Sequence, residues 1–326
     1  MPDIALRPVI VTLLALLSFI TVPALRAADL LLLVGAPGEE DYAEVFAETA
    51  EAWADAAAAA NLTVSRIDGY SDDGLAPRDQ LITALAAQRP VADDPLWIVY
   101  VGHGTYDLRN AQLNLAGPDV SATELGEWLG GFERPLVFVH GGSASAPFVN
   151  ALSRPNRIII TATESGHEVN YARFGLRFAR AVIDPEADID RDGQTSLLEA
   201  FLTASQQVQA FYLEQNRLAT EHALIDDNGD GRGTPYDFFN GTRLAEKPTD
   251  PTAVPDGARA RVWSLVPSAA ERALTAEQRS RRDALEAELE QLRTRRDSMP
   301  ESDYLDALEV LFRQLGQVYR TTSVNS

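Results

Sequence analysis

Asp188, Asp190 and Asp192 set three carboxylates at alternate positions, Gly193 follows them, and Glu199 closes the run that also holds Gln194 and Ser196. A hard divalent cation takes six to eight oxygen ligands. A twelve-residue loop of EF-hand type supplies them from positions 1, 3, 5, 7, 9 and 12 around a glycine at position 6. Asp188, Asp190 and Asp192 fall on the first three of those positions, and the carbonyl of Gln194 on the seventh. Ser196 stands at the ninth, directly or through water, and Glu199 at the twelfth, where both its oxygens can bind. Ca2+ is the cation this spacing predicts. A second run repeats the design: Asp226, Asn228, Asp230, Gly231, the carbonyl of Arg232, Thr234 and Asp237. Aspartate in place of glutamate at the last position reaches less far, so the second site is expected to be weaker. Pro185 and Pro235 sit close to the loops, so the expected role is a pair of calcium clips rather than a calmodulin-type switch.

Two other stretches place polar groups where a parallel sheet collects its chemistry. Trp97-Ile-Val-Tyr-Val101 is an unbroken apolar run followed by Gly102-His103-Gly104, and Leu136-Val-Phe-Val139 is followed by His140, Gly141, Gly142 and Ser143. Runs of this kind are strands buried on both faces, and the carboxyl ends of such strands carry ligand and catalytic groups. The two ends are expected side by side. Ser143 would need His103 as a base and a third group to orient it; Asp107 could serve, and the Gly141-Gly142 backbone could offer an oxyanion hole. A metal site on His103 and His140 lacks a clear third ligand. His167 falls in a loop and carries no chemistry, and His222 is expected at a helix C-terminus.

The pattern strand, Gly-His-Gly, helix, strand, then a nucleophile position resembles the legumain-like members of the caspase-fold cysteine peptidases, over roughly residues 29–181. The resemblance implies a three-layer αβα fold with a mostly parallel sheet and a dyad on His103 and Ser143. It also implies a specificity pocket near the end of the strand Arg157–Ala162, where Glu164, Glu168 and Asn170 follow. Serine stands where the family has cysteine. A thiol beside a histidine supplies thiolate at neutral pH and a hydroxyl does not. The expectation is therefore a catalytically degenerate domain that acts in binding or scaffolding. The alternative is a calcium-stabilised peptidase or esterase-type hydrolase using Ser143 and His103.

The elements that position these groups follow from periodicity. Strands are expected at Leu30–Val34, Leu62–Ile67, Trp97–Val101, Leu136–Val139 and Arg157–Ala162, with a small strand-like excursion over Asn110–Leu115. Helices are expected at Tyr42–Ala60, Pro77–Gln88, from the capping box Ser121–Glu124 onward, and at Pro147–Leu152, Tyr171–Ile183 and Leu197–Leu224. Alternation of this kind builds parallel βαβ units. An α-rich calcium-loop region follows, then prolines 248, 251 and 255 in a linker. Leu285, Leu289 and Leu292, then Tyr304, Leu308, Leu311, Leu315 and Val318 across the break at Pro300, form the stripes of an antiparallel helical hairpin. Its expected role is packing or assembly, with a protein partner or with itself.

Composition narrows the classes. The chain has 326 residues, a formal net charge of −20 and no cysteine. Nucleic acid would be repelled, and disulfides, thiolate metal sites and cysteine nucleophiles are excluded. Arg7, the apolar run Val9–Val22 and a small residue for cleavage in Pro23-Ala24-Leu25-Arg26-Ala27 form the pattern of a bacterial-type export signal. The run is too short for a spanning helix. A periplasmic or secreted protein is expected, without a membrane span once the signal is removed. The expected divisions are 1–27 signal, 28–183 caspase-like α/β domain, 184–243 calcium-loop region packed on it, 244–270 linker and 271–326 hairpin.

Overall fold

The computed structural model describes residues 29–245 and 254–320. The expected export signal lies outside them. Chain order is β1 (Leu30–Val34), α1 (Glu40–Ala59), β2 (Val64–Ile67), α2 (Pro77–Ala86), β3 (Leu96–Val101), β4 (Gly104–Tyr106), β5 (Ala111–Leu113), β6 (Val120–Ser121) and α3 (Ala122–Trp128). Then come β7 (Leu136–His140), α4 (Pro147–Leu152), β8 (Arg157–Thr161), α5 (Phe174–Ala181), α6 (Leu197–Glu214), β9 (Leu224–Asp226) and β10 (Thr234–Pro235). A short hairpin, β11 (Phe239–Asn240) with β12 (Arg243–Leu244), precedes α7 (Ala269–Ala273), α8 (Ala276–Thr294) and α9 (Glu301–Arg320).

The main sheet has seven strands in the order β10-β9-β8-β7-β3-β1-β2. The five from β8 to β2 are parallel, and β9 and β10 add antiparallel pairs at one edge. Because side chains alternate along a strand, each unbroken apolar run feeds both faces. Leu30, Leu32, Val99, Val139 and Ile160 point to the side covered by Trp53 of α1, Phe178 of α5 and Phe201 of α6. Leu31, Leu33, Ile98, Phe138 and Ile159 point to the side covered by Leu81 of α2, Leu125 of α3 and Phe148 of α4. The result is a three-layer αβα fold with a mostly parallel sheet, followed by a C-terminal helical region. The excursion after β3 is a three-stranded antiparallel sheet of β4, β5 and β6. It ends in the expected capping box of Ser121 with Glu124.

Two expectations are corrected. The helix predicted over Leu197–Leu224 stops at Glu214, and Leu224–Asp226 is the strand β9. Asn216 turns the chain with φ 52°; Leu224 and Ile225 then bury themselves beside β8, a gain that outweighs further helix. The second acidic loop is thus entered from a strand, and the region expected to pack on the sheet extends it. His222 accordingly lies in the irregular segment between α6 and β9 rather than at a helix C-terminus.

The stretch expected as a linker is, over its described part, a strap. Leu197 and Leu198 donate to the carbonyls of Trp263 and Ala260, at 2.7 and 3.1 Å. Asp227 accepts from the backbone of Gly257, Arg259 and Ala260, and Asp256 accepts from the backbone of Asp227 and Asn228 and from Thr234 Oγ1. Each carboxylate thus holds the other's chain segment. Asp227→Ala would leave two buried N–H donors and one half-buried donor unanswered and is expected to cost about 3 kcal/mol, whereas Asp227→Asn, which keeps one carbonyl acceptor, costs less. Urea unfolding of the two variants checks the order; equal stability of Asp227→Ala and wild type would refute the strap.

The hairpin has a core of its own: Leu285, Leu289 and Leu292 of α8 pack with Leu311, Leu315 and Val318 of α9. Arg261 of the strap reaches Glu290 of α8 at 2.8 Å, and the buried Arg282 of α8 pairs with Glu271 of α7 at 3.0 Å. Among the described residues no helix is long and apolar enough to cross a membrane.

Candidate functional site

β3 and β7 are neighbours in register, with Tyr100 opposite His140, so their carboxyl ends stand together. The glycines there are required by contact between the two turns. A Cβ on Gly142 would lie 1.8 Å from the Gly102 carbonyl oxygen, and one on Gly104 would lie 2.3 Å from that of Ser143. Only glycine lets the backbones approach so closely. Tyr100 fixes the histidine turn from below, its hydroxyl donating to the carbonyls of His103 and Asn114 at 2.7 and 3.0 Å.

His103 and Ser143 line one cavity of about 20 Å³, together with Thr49, Trp53, Gly142 and Tyr171. That is space for about one water. They are turned to different tasks. The Ser143 hydroxyl is buried; it accepts from Gly104 N and donates to Gly104 O, each at 3.2 Å. The His103 ring stands edge-on to Tyr42 and Phe46, with centroids 4.5 and 5.1 Å away. Burial holds it below the usual imidazole range, against the opposing influence of Glu39 and the Pro37 carbonyl. No hydrogen bond joins Ser143 to His103 among the described residues. Asp107 does not orient His103 either: its carboxylate accepts from Arg109 N and Asn110 N in its own turn.

His140 is fully buried among Tyr100, Phe138 and Phe148. Its Nδ1 accepts from Gly142 N at 3.2 Å, which puts the proton on Nε2, and Nε2 has no hydrogen-bond partner among the described residues. Burial pushes its pKa down to about 3. It is a neutral wall of the site, separated in role from His103.

Two groups of residues near this end of the sheet gave no joint signal in the sequence, Ser145 with Thr163 and Glu164 and Glu168 with His222. Ser145 Oγ accepts from the backbone of Ala162 and Thr163, and Thr163 Oγ1 accepts from the backbone of Ser145 and Ala146. This clasp closes β7 against β8. Glu168 gives its carbonyl to Ala144 N and its carboxylate to Glu164 N and to the His222 ring. Glu164, Glu168 and His222 bring one ligand atom each within 4.8 Å of one another. His222 lies far along the chain from both glutamates, and its spacing gave no signal.

The first acidic loop sits at the mouth of α6. Gly193, φ 90°, and Arg191, φ 61°, make the sharp turn. Asp188 accepts from Asp192 N and Gly193 N, at 3.1 and 3.0 Å, which folds the loop around its first carboxylate. Asp188, Asp190 and Asp192 bring a carboxylate oxygen each within 4.8 Å of one another. Burial raises the Asp190 and Asp192 pKa values, and the neighbouring Glu199 charge adds to the rise. Glu199 stands beside the trio, its Oε1 accepting from Ile189 N and Asp190 N and its Oε2 from Ser196 N and Oγ. Ser196 is thereby the N-cap of α6. The Gln194 side chain turns away to Ser268 N. A trio of converging, mutually repelling carboxylates fits a hard divalent cation.

The second loop folds around Asp226, which accepts from Gly229 N and Gly231 N. Asn228 accepts from Asp230 N, and Asp230 from Arg232 N. Thr234 Oγ1 is given to Asp256, and Asp237 lies in the turn Tyr236–Phe238. With asparagine at the third position, the convergence of three carboxylates is not repeated here among the described residues. Burial raises Asp227 and Asp256 alike, and the Asp227 charge raises Asp256 further.

Fold and site together define a class: an αβα protein with a histidine and a serine at adjacent strand ends and an acidic twelve-residue loop at a helix mouth. No family model matches the chain, and no curated protein matches it. Among solved structures it is similar to the Drosophila initiator caspase Dronc, at 16% identity and a TM-score of 0.38, over 65% of this chain and 84% of that one. These values describe a distant likeness of fold and say nothing of chemistry.

Proposed function

We propose that the chain is an exported calcium-binding protein whose caspase-like α/β domain is catalytically degenerate and serves binding or scaffolding. The helical hairpin is its assembly element. One observation carries the reading of the α/β domain: the Ser143 hydroxyl is committed in both directions to the Gly104 backbone, while His103 is held by an aromatic surround. A serine nucleophile needs its base in hydrogen-bond reach. The sequence pattern of residues 1–27 supports export, and the carboxylates of Asp188, Asp190 and Asp192 support calcium. A fluorophosphonate probe is the direct test. The expected result is no labelling, with or without calcium. Labelling at Ser143 that disappears in His103→Ala would establish the hydrolase instead.

A further inference from the structure

α9 carries two apolar stripes. Leu311, Leu315 and Val318 face α8 and are buried. Leu305, Phe312 and Tyr319 recur every seventh residue along the adjoining face and remain 52%, 50% and 39% exposed. A heptad repeat of large apolar residues on a helix is the seam of a helix–helix contact. The Tyr319 hydroxyl lies 3.5 Å from Arg282 of α8, at the rim of the hairpin; the remainder of the stripe is open.

The charges beside the stripe say what covers it. Glu301 and Glu309 flank its N-terminal half, and Arg313 and Arg320 its C-terminal half; all four are exposed. A parallel copy of α9 would set glutamate against glutamate and arginine against arginine. An antiparallel copy, centred on Phe312, brings Glu301 to within about 5 Å of Arg320 along the axis and Glu309 to within about 3 Å of Arg313, so acidic and basic halves face one another. It also sets Leu305 level with Tyr319, and Leu308 level with Gly316, large against small. The one helix thus carries both halves of the complement, the requirement for an isologous two-fold contact. Flanking charges of this kind choose orientation more than they add affinity.

We infer that α9 packs antiparallel on α9 of a second copy of this chain through Leu305, Phe312 and Tyr319, with Phe312 at the two-fold axis. This rests on the reading of the hairpin as the assembly element and specifies its face, partner and direction.

The chain has no cysteine, so single-cysteine variants of the full chain report the geometry directly. In the antiparallel dimer Phe312→Cys faces itself and oxidises to a linked dimer. Leu305→Cys faces position 319 and lies about 21 Å from its own copy along the axis, far beyond disulfide reach. It should link only when mixed with Tyr319→Cys. Phe312→Glu, at an exposed position, should keep the native circular dichroism and raise the dimer dissociation constant roughly 30-fold or more in sedimentation equilibrium. Self-linking of Leu305→Cys as readily as Phe312→Cys would mean a parallel contact and overturn the inference. A dimer unchanged by Phe312→Glu would overturn it while leaving hairpin assembly through another face intact. A chain monomeric at every concentration removes self-association altogether, and leaves calcium binding and the silent serine to their own tests.

Discussion

Calcium is expected to raise the melting temperature of the full chain by about 10 °C over the chelated protein, when present at roughly a thousandfold above its dissociation constant. Mass action at that excess supplies about 4 kcal/mol. The site behind this expectation is the first loop, where Asp188, Asp190 and Asp192 crowd together. Without a cation the carboxylates oppose one another, and burial and the Glu199 charge disfavour ionised Asp190 and Asp192. The loop is tied to two layers of structure. Glu199 caps α6 through Ser196, and Gln194 holds Ser268 of the strap. Ordering the loop therefore also steadies the helix and the strap packed on it.

The informative variant is Asp190→Asn with Asp192→Asn. Removing two like charges should leave the chelated protein as stable as wild type or more so, while abolishing the calcium response. Glu199→Ala should behave otherwise and weaken the protein even without calcium, since four donors lose their acceptor. Calorimetric melting with and without calcium separates the two. A wild-type calcium shift that persists in the double asparagine variant would move the site to the second loop or elsewhere.

Acid sensitivity traced to His140 is the second large effect. The sign follows from the direction of its shift. The folded ring stays neutral down to about pH 3, while the unfolded ring protonates near 6.5. Between those values the unfolded chain binds more protons, so this contribution is complete above 6.5 and is lost as the pH falls. The slope approaches 1.4 kcal/mol per pH unit and the sum is about 4 kcal/mol near pH 3.5. His140→Phe suits the aromatic surround and gives up only the acceptor for Gly142 N, a cost of about 1 kcal/mol at neutral pH. Its urea stability should then fall less steeply between pH 6.5 and 4.5 than that of wild type, the carboxylates being common to both. Parallel curves for the two proteins would show that the buried ring does not couple to folding.

Much of the architecture was legible in the sequence because burial writes itself into local pattern. The strands β1, β3, β7 and β8 are unbroken apolar runs, since a parallel sheet clad on both faces has no wet side. The hairpin stripes are legible for the same reason at helical period. The turns of the acidic loops were legible because the carboxylates and glycines that make them lie within a few residues of one another. The strap was not: Pro255 and Gly257 look like part of a linker until Asp227, distant in sequence, ties down the backbone of Gly257, Arg259 and Ala260. The end of α6 was misjudged because the residues after Glu214 continue an acceptable helix locally, and only the open edge of β8 makes a strand of Leu224 and Ile225 worth more.

The residue types of the strand-end pair were visible from the start, and their meeting at the carboxyl end of the sheet was expected. Sequence alone determined that His103 and Ser143 follow buried-type strands and that no thiol is available; the pairing of β3 with β7 made them neighbours, as expected. Tertiary structure decided what they do there. Glycines at 102, 104 and 142 let two turns press together until the Ser143 hydroxyl is consumed by the Gly104 backbone. Aromatic rings from α1 and from the chain before α5 surround His103. Orientation of a side chain is set by neighbours that no spacing rule can name, which is why three-dimensional packing rather than composition decides which hydrogen bonds a strand-end serine and histidine make.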